Sequence, residues 1–234
     1  GITEEREGRT VRLGQPFELA YHDDEFHTQL PFKFPFWLTI TGDVQEHFIR
    51  FWVCAWNKDG ECFLIDRGRV KDGDAFIELF RREYWAEGDD QPHTIGDGLI
   101  DCGNDKLDVF RICIKAQDQG FNLWPSRGSG FHSEFRDKTV LKRPDTCDGR
   151  DIVIREFYDH AIKSDFLLGK IGKRTEPRLW FPREMPTYCP DEFTELRAER
   201  LNKVNVSGRT VQKWQHDKQK HGPNEAVDLG KQQY

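Results

Sequence analysis

Long apolar runs are absent from this sequence. No stretch approaches the roughly 18 apolar residues that a membrane-spanning helix requires, and no basic segment followed by an apolar one stands at the start. We therefore expect a soluble protein with neither a membrane span nor a signal peptide.

An excess of positive charge is also lacking. The formal net charge is −6 and the isoelectric point is near 5.8. Proteins that bind nucleic acid over their whole surface are usually basic, so the composition argues against a footprint of that kind. A local basic patch remains compatible with these values.

The sequence lacks the cysteine spacing of a metal site or of a redox motif. None of the six cysteines stands in a Cys-x-x-Cys pair, and several lie within apolar, strand-like runs. We expect reduced, buried thiols in a cytosolic protein rather than three disulfides. The cysteines are Cys54, Cys62, Cys102, Cys113, Cys147 and Cys189.

Signatures of catalysis are missing as well. In LLGKIGKRT only two residues separate Gly169 from Gly172, whereas a phosphate-binding loop needs four residues before its Gly-Lys pair. SRGSGF, at residues 126–131, lacks the spacing of a nucleophile elbow, and no cysteine has a nucleophile signature. We predict no catalytic residue, and the residues that would bind a cofactor are unknown from the sequence.

One stretch resembles a metal site by composition alone. YHDDEFH brings together His22, Asp23, Asp24 and His27, but the spacing of five between the histidines matches no zinc motif. We predict no metal site.

Aromatic residues are abundant. The chain has 18 Phe, 7 Trp and 5 Tyr, although its hydrophobic fraction is only 36% and its charged fraction is 32%. So many aromatics exclude a disordered chain. Large rings suit contacts between subunits as well as an ordinary aromatic core, and composition alone leaves both open.

The first half of the chain contains a hairpin pattern. Residues 49–56 and 61–66 are β-branched or aromatic runs, and they flank Asn57-Lys58-Asp59-Gly60. An Asp-Gly pair supplies the positive φ of a tight turn, so two antiparallel strands are predicted. A strand is also predicted at residues 36–40, and a helix from residue 75 to about residue 87, where apolar residues recur at spacings of three and four.

The second half is less regular. Residues 107–116 alternate like a half-buried strand, and residues 152–168 have helical spacing with a β-branched start that also fits a strand followed by a helix. Residues 122–131 and 143–151 are predicted to be loops. From residue 169 onward apolar residues become sparse, which indicates a tail without a core of its own.

The run WVCAWNKDGECFLIDRGRVKDGDAFIELFRREY, residues 52–84, resembles a segment of the cypovirus polyhedrins. In that family a Trp-Val-x-Ala strand precedes an Asp-Gly turn, a second apolar strand, a Lys-x-Gly loop and a helix that ends in Glu-Tyr. The order of the flanking elements agrees more loosely, and the C-terminal third does not match residue by residue. The matching residues are Trp52, Val53, Ala55, Asp59, Gly60, Ile65, Lys71, Gly73, Glu83 and Tyr84.

The resemblance implies a mainly β fold with flanking α-helices. It implies one antiparallel β-sandwich domain over residues 14–234, with helical insertions and a C-terminal tail, that assembles as a trimer. Residues 1–13 are charged and begin with Thr3 followed by acidic residues, as at a capped helix start, so we expect an N-terminal helical arm there.

The function implied by the resemblance is structural rather than enzymatic. Polyhedrins of insect viruses form crystals in the host cell cytoplasm, the viral occlusion bodies, which enclose and protect virions and dissolve at alkaline pH. The implied partners are further copies of the chain, as homotrimers in a lattice, together with virions. No cofactor is required on this interpretation, bound nucleotides are a further implied ligand, and no membrane is involved.

An alternative interpretation comes from two basic clusters. A β-sandwich module that binds nucleic acid or a phosphoryl ligand would use such clusters, although the acidic balance weighs against it. A third possibility is an enzyme without a recognisable signature. The clusters are Lys170, Lys173, Arg174 and Arg178, and Arg136, Lys138, Lys142 and Arg143.

Overall fold

The structure is a computed structural model that describes residues 3–6, 9–12, 20–22, 29–30, 36–86, 90–129, 140–171, 179–182, 190–196, 198–206, 209–216 and 223–234. The strands within these ranges are β1 Thr3–Arg6, β2 Arg9–Arg12, β3 Ala20–His22, β4 Gln29–Leu30, β5 Phe36–Val44, β6 Ile49–Asn57, β7 Cys62–Val70, β8 Trp85–Ala86, β9 Asp97–Asp101, β10 Asn122–Ser129, β11 Val140–Cys147, β12 Arg150–Tyr158, β13 Leu179–Pro182, β14 Glu199–Val206 and β15 Arg209–His216.

The helices within the same ranges are α1 Gly73–Glu78, α2 Lys106–Asp118, α3 Asp159–Ser164, α4 Pro190–Glu195 and α5 Glu225–Lys231. A 3₁₀ turn, Leu79–Arg81, extends α1, and a π-helical segment, Asp165–Lys170, extends α3.

The described strands form one large mixed sheet and three small ones. The large sheet has nine strands in the order β11-β12-β10-β9-β5-β6-β7-β13-β3. β5, β6 and β7 form an antiparallel meander, and β9 then pairs with β5 in parallel on the other side. β10 pairs in parallel with β9 and with β12, so β5, β9, β10 and β12 all end at the same edge of the sheet.

Both faces of this sheet are covered by hydrophobic cores, as the burial of β6 shows. Residues 49–55 of β6 are buried without interruption, as expected for a strand with a core on each side. Phe51 and Val53 join the core that contains residues of α1 and α2. Trp52 and Cys54 join the second core, which contains residues of α5. We call these two sides the α2 face and the α5 face.

The predicted hairpin and the predicted strand before it are confirmed. β6 and β7 pair antiparallel, and Gly60 between them has a φ of 77°. The side-chain oxygen of Asn57 accepts hydrogen bonds from the backbone N–H groups of Asp59 and Glu61, at 3.0 Å each. The turn therefore forms from its own local chemistry, independently of the rest of the fold.

The prediction of a strand at residues 107–116 is wrong, because this segment lies in helix α2. Its buried residues are Val109, Phe110, Cys113 and Ala116, a helical spacing that the alternating apolar pattern concealed. Asp105 caps the first turn through the N–H of Asp108. The helix predicted up to residue 87 is also shorter than expected, because α1 ends at Glu78 and the 3₁₀ turn ends at Arg81.

Both predicted loops are largely strand. Residues 122–129 form β10, because pairing with β9 and β12 on its two sides outweighs the turn-like Pro-Ser-Arg-Gly composition. Residues 143–151 contain the turn between β11 and β12, where Asp148 and Gly149 have φ values of 50° and 77°. The reading of residues 152–168 as a strand followed by a helix is confirmed by β12 and α3.

The prediction of a C-terminal tail without a core is wrong. Residues after 178 contribute Leu179, Phe181, Leu196, Leu201, Trp214, Ala226, Val227 and Leu229 to the core on the α5 face. The large polar fraction of this third hid its apolar residues because they come from several short elements that meet only in the folded chain.

The expected mainly β fold with flanking helices is confirmed, but the antiparallel sandwich is not. The described strands build one mixed sheet between two helical layers, because parallel strands require crossover helices on the sheet faces. The helical arm at residues 1–13 is not confirmed either. Its described parts, Thr3–Arg6 and Arg9–Arg12, are strands that pair antiparallel.

Two further observations concern the described residues. No helix among them is long and apolar enough to cross a bilayer. Five cysteines are free and buried, as predicted, while Cys189 lies outside the described residues.

The contact between α5 and the π-helical segment is tight enough to test. A Cβ added to Gly230 would lie 2.2 Å from the ζ carbon of the Phe166 ring. Ala favours a helix over Gly by about 1 kcal/mol, but the overlap outweighs this gain. We expect Gly230→Ala to lower the free energy of unfolding by roughly 1–3 kcal/mol in urea denaturation.

A second substitution separates this overlap from a general effect on α5. Phe166→Leu in the Gly230→Ala background removes the ring carbon that the new methyl group meets, so the two substitutions should be less destabilising together than their sum. Strict additivity, or a Gly230→Ala protein more stable than the parent, would contradict the packing described.

Candidate active site

Two aspartates stand at the carboxyl ends of neighbouring parallel strands. Gly42 of β5 pairs with Ile100 of β9 in parallel register, and the next residues along the two strands are Asp43 and Asp101. In open α/β sheets ligands bind outside the carboxyl ends of the strands, where the strand order reverses. The boundary between β5 and β9 is such a point. After β5 the chain adds β6 and β7 on one side of β5, and it then adds β9 on the opposite side.

Asp43 is a buried carboxylate among other carboxylates. Only 6% of the residue is exposed. Burial, and after it the negative charges of Asp228, Asp101 and Glu225, raises the pKa of Asp43 to about 7. The amide of Gln45 donates a hydrogen bond to Asp43 Oδ2 at 2.7 Å, which opposes the shift. A positive ion at this point would relieve the repulsion.

Asp101 has a more mixed environment. Burial raises its pKa, and the charges of Asp228 and Asp159 add to the effect. Lys231 and a hydrogen bond from the N–H of Gly103, at 3.1 Å, act in the opposite direction. Asp101 is half-buried, so its carboxylate retains access to solvent.

Helix α5 brings Asp228 to the two strand ends. The hydroxyl of Thr41 on β5 donates to the backbone oxygen of Leu229 at 3.1 Å. Just beyond the helix, the amide of Gln233 donates to Thr41 Oγ1 at 3.0 Å, and Ser126 on β10 donates to Gln232 Oε1 at 3.0 Å. These bonds join the end of α5 to β5 and β10 and so fix its position on the α5 face.

A buried lysine lies beside the carboxylates. The Lys231 ammonium group contacts Asp159 at 2.7 Å and Asp228 at 2.6 Å, with 9% of its side chain exposed. Burial disfavours its charge, but the two carboxylates outweigh burial and raise the pKa of Lys231. For Asp159, burial is outweighed by Lys231 and Lys163, which lower its pKa. Lys231 therefore holds two acidic side chains together and stays charged itself.

A second ion-pair cluster fixes the helices next to this site. Arg50 of β6 stands opposite Asp43 in the β5–β6 register, but its guanidinium group contacts three glutamates instead. It binds Glu192 at 2.9 Å and Glu195 at 2.8 Å, both on α4, and Glu225 on α5 at 3.1 Å. Only 5% of the Arg50 side chain is exposed, so these are buried pairs. Removing one partner from such a cluster leaves an uncompensated charge, and this makes the arrangement of α4 and α5 specific.

The donor set of the site is all oxygen. Carboxylates of Asp43, Asp101 and Asp228 match the hard oxygen ligands that Mg²⁺ and Mn²⁺ prefer. In the part of the chain that the structure describes, no three His, Cys, Asp or Glu side chains converge closely enough to hold a metal ion, so an ion would have to draw these three carboxylates together. The chemistry of the donors and the raised pKa of Asp43, rather than a closed coordination shell, fit a divalent cation.

The residues considered from sequence alone lie elsewhere. In YHDDEFH, residues 23–28 fall outside the described residues, and only the backbone of His22 is described, in β3. In LLGKIGKRT, Lys170 ends the π-helical segment and lies over the Tyr234 ring at 5.0 Å, while residues 172–178 fall outside the described residues. The second basic cluster is divided between residues 130–139, which are not described, and strand β11.

The three aspartates were missed because none belongs to a recognised motif. A usable signal was present: each of Asp43 and Asp101 directly follows an apolar or β-branched strand, in TITGD and GLID. A carboxylate at the end of a buried strand is a candidate ligand, but only if two such strands are adjacent and parallel. That pairing depends on the fold, and Asp228 lies in the segment predicted to be a tail.

The fold and the site define a class of protein: a mixed-sheet domain with a carboxylate cluster at the point where its strand order reverses. The family is given by comparison with known proteins. The family model for the terminase large subunit gpA, endonuclease domain, matches residues 18–234, and the chain belongs to this family. No curated protein and no solved structure matches the chain.

Membership in this family overturns the resemblance to polyhedrins. The predictions of a non-enzymatic structural protein, of homotrimers in a crystal lattice with virions, and of occlusion bodies in the host cell cytoplasm are wrong, because the family is an endonuclease domain. The alternative of nucleic-acid binding is closer to the family. The residues that carried the resemblance explain the error: Trp52 and Ile65 are core residues, Gly60 makes a turn, and Tyr84 binds Asp66 at 2.9 Å. They report a hairpin followed by a helix, which many folds share.

The raised pKa of Asp43 predicts how stability depends on pH. A carboxylate with a pKa near 3.8 unfolded and about 7 folded binds its proton more tightly in the folded state. Stability is therefore lost as the pH rises from about 4 to about 7, and little changes outside that window. We expect Asp43→Asn, which carries no charge, to exceed the parent in free energy of unfolding by roughly 4 kcal/mol at pH 8 without divalent ions, and by little at pH 4.

The control for this measurement is Asp118→Asn. Asp118 is exposed, and a hydrogen bond from Arg150 lowers its pKa, so any contribution has the opposite sign and is lost as the pH falls. Urea denaturation across the pH range gives both profiles. Equal profiles for Asp43→Asn and the parent would show that Asp43 is not strained by its neighbours.

Lys231 gives a separate prediction. Lys231→Met removes the nearer of the two lysines from Asp159 and Asp228 and leaves only Lys163, at 3.3 Å and 3.8 Å, and we expect a loss of about 3 kcal/mol in the free energy of unfolding in EDTA. Added Mg²⁺ should restore more stability to this variant than it adds to the parent, because it neutralises the same carboxylates. A loss that Mg²⁺ leaves unchanged would mean that Lys231 acts by packing alone.

Proposed function

We propose that this chain is a divalent-metal-dependent endonuclease domain that cuts DNA as part of a packaging terminase. The metal-binding carboxylates on this proposal are Asp43, Asp101 and Asp228. The observation that carries it is the buried Asp43, whose pKa is raised to about 7 by burial and by the surrounding carboxylates. A protein keeps such an arrangement at a cost in stability, and repulsion of this kind is typical of functional sites. Family membership supplies the reaction class.

The site suits a cation for two reasons. Asp43 and Asp101 come from adjacent strands, whose backbones are about 4.8 Å apart, and Asp228 approaches from the helix above them. All three offer carboxylate oxygens, and burial, with the charges of neighbouring carboxylates, raises the pKa values of the first two. When bound, a divalent ion supplies positive charge that polarises the phosphodiester and stabilises the charge developing on its oxygens.

The surrounding residues orient these ligands. Gln45 donates a hydrogen bond that fixes the rotation of the Asp43 carboxylate. Lys231 contacts Asp228 on one side and Asp159 on the other, so it sets the position of Asp228 relative to β12 and α3. The half-buried Asp101 leaves the site open to solvent at the sheet edge. A phosphodiester and an attacking water can approach from that side.

Substitution of the three aspartates tests this function. We expect Asp43→Asn, Asp101→Asn and Asp228→Asn each to reduce cleavage of plasmid DNA with Mg²⁺ or Mn²⁺ by at least about 100-fold, since each removes a charged ligand. For Asp43→Asn the loss should not come from unfolding, because Asn keeps the shape of Asp and removes repulsion. Gel electrophoresis of supercoiled, nicked and linear plasmid measures the rate.

Asp118→Asn is the matched control and should cleave like the parent. Asp118, at the end of α2, is exposed and pairs with Arg150 at the start of β12. EDTA should abolish cleavage by the parent. Full activity in the Asp43→Asn protein, or cleavage that survives EDTA, would refute the proposed function.

A further inference from the structure

A row of polar residues crosses the sheet from the acidic site toward its open edge. Asp101 on β9 pairs with Ser126 on β10, Ser126 pairs with Arg155 on β12, and Arg155 pairs with Lys142 on β11. Adjacent strands are about 4.8 Å apart, so the backbone of Arg155 lies about 10 Å, and that of Lys142 about 14 Å, from Asp101. The positively charged residues Arg155 and Lys142 therefore lie two and three strands away from Asp101.

Arg155 lies on the same side of the sheet as the acidic site. The hydroxyl of Ser126 bonds to Gln232 next to α5, which places Ser126 on the α5 face. Trp124 precedes Ser126 by two residues in the same strand and so shares that face. The guanidinium carbon of Arg155 lies over the Trp124 ring, 4.5 Å from its centroid. The ring and the cation thus form one unit beside the site.

Apart from its contact with the Trp124 ring, Arg155 has no ion pair within the described part of the fold. On the opposite face, Glu156 accepts hydrogen bonds from Arg127 and Arg143, at 2.8 Å each. Among the described residues, no carboxylate lies within salt-bridge distance of Arg155 or Lys142. Arg155 is half-buried and Lys142 is exposed, so a ligand can reach both.

The chemistry of this unit indicates its ligand. A guanidinium group over an indole ring keeps N–H groups that can donate to the oxygens of a phosphate. A negatively charged nucleic acid needs positive charge near an acidic site in order to bind there. With a rise of about 3.4 Å per nucleotide, a distance of about 10 Å corresponds to roughly three nucleotides.

We propose that Arg155, positioned over the Trp124 ring, and Lys142 bind backbone phosphates of the DNA strand about three to four nucleotides from the phosphate that is cut. This inference rests on the proposed function for the position of the cut. The contact is to the backbone and is independent of base sequence. On this proposal the DNA strand runs across the α5 face of the sheet from β5 toward β11.

The test is DNA binding without cutting. Fluorescence anisotropy of a labelled duplex is measured with the full chain in EDTA, between about 50 and 200 mM salt. We expect Arg155→Gln to bind about tenfold more weakly near 0.1 M salt. The slope of log affinity against log salt should fall in magnitude by about 0.9 for Arg155→Gln and again for Lys142→Gln, since each removes one phosphate contact. Trp124→Leu should weaken binding and keep the slope, because the charge remains.

Arg81→Gln is the matched control. Arg81 also lies over an aromatic ring, 4.9 Å from the centroid of Phe121. It belongs to the 3₁₀ turn that follows α1, on the α2 face of the sheet. Its substitution should leave affinity and slope unchanged. Arg155→Gln with the affinity and slope of the parent, an equal loss for Arg81→Gln, or no measurable binding by the parent would each overturn the proposal.

Failure of this inference and failure of the proposed function give different results. If Asp43→Asn still cuts DNA while Arg155→Gln weakens binding, the phosphate contacts stand and the assigned carboxylates are wrong. If Asp43→Asn is inactive while Arg155→Gln binds like the parent, the carboxylates stand and the phosphate contacts are wrong.

Discussion

Repulsion among carboxylates at one edge of the sheet is the constraint on which the rest of this structure depends. Asp43 and Asp101 are brought together by the parallel pairing of β5 and β9, and Asp228 is added by α5. The raised pKa of Asp43 reports the combined cost of burying a carboxylate and of placing it near like charges. Hydrophobic packing alone would favour apolar residues at these positions, so their presence has to be explained by what the site does.

The surrounding structure holds these groups in place against that repulsion. The bonds from Thr41 and Ser126 join the end of α5 to the sheet, and the Arg50 cluster joins α4 and α5 to β6. Lys231 supplies charge of the opposite sign within the site itself. The sheet therefore fixes the positions of Asp43 and Asp101, while a single short helix, fastened by polar contacts, carries Asp228.

Local chemistry made part of this fold predictable from sequence. The β6–β7 hairpin follows from Asn57 and Gly60, and the free, buried thiols from the absence of paired spacing. Helix α2 was not predictable from alternation, since Ile112 and Ile114 favour a strand and only the burial of Val109 and Cys113 shows the helix. Elements that depend on distant partners, such as β10, were taken for loops.

The site could not be predicted from the sequence either, because it also depends on contacts between distant parts of the chain. Asp43 and Asp101 are 58 positions apart and meet only through the parallel pairing of their strands. Asp228 lies in a polar segment whose apolar residues find their core only against Trp52 and Phe166. The resemblance to polyhedrins used the one region with strong local signals, and these signals concern the hairpin rather than the site.

The most direct test of the central claim is the position of a bound metal ion. Anomalous diffraction from crystals grown with Mn²⁺ should show an ion bonded to the carboxylates of Asp43, Asp101 and Asp228, and crystals of Asp43→Asn should lose or weaken it. An ion bound elsewhere in the chain, or no ion at these three carboxylates at millimolar Mn²⁺, would contradict the account.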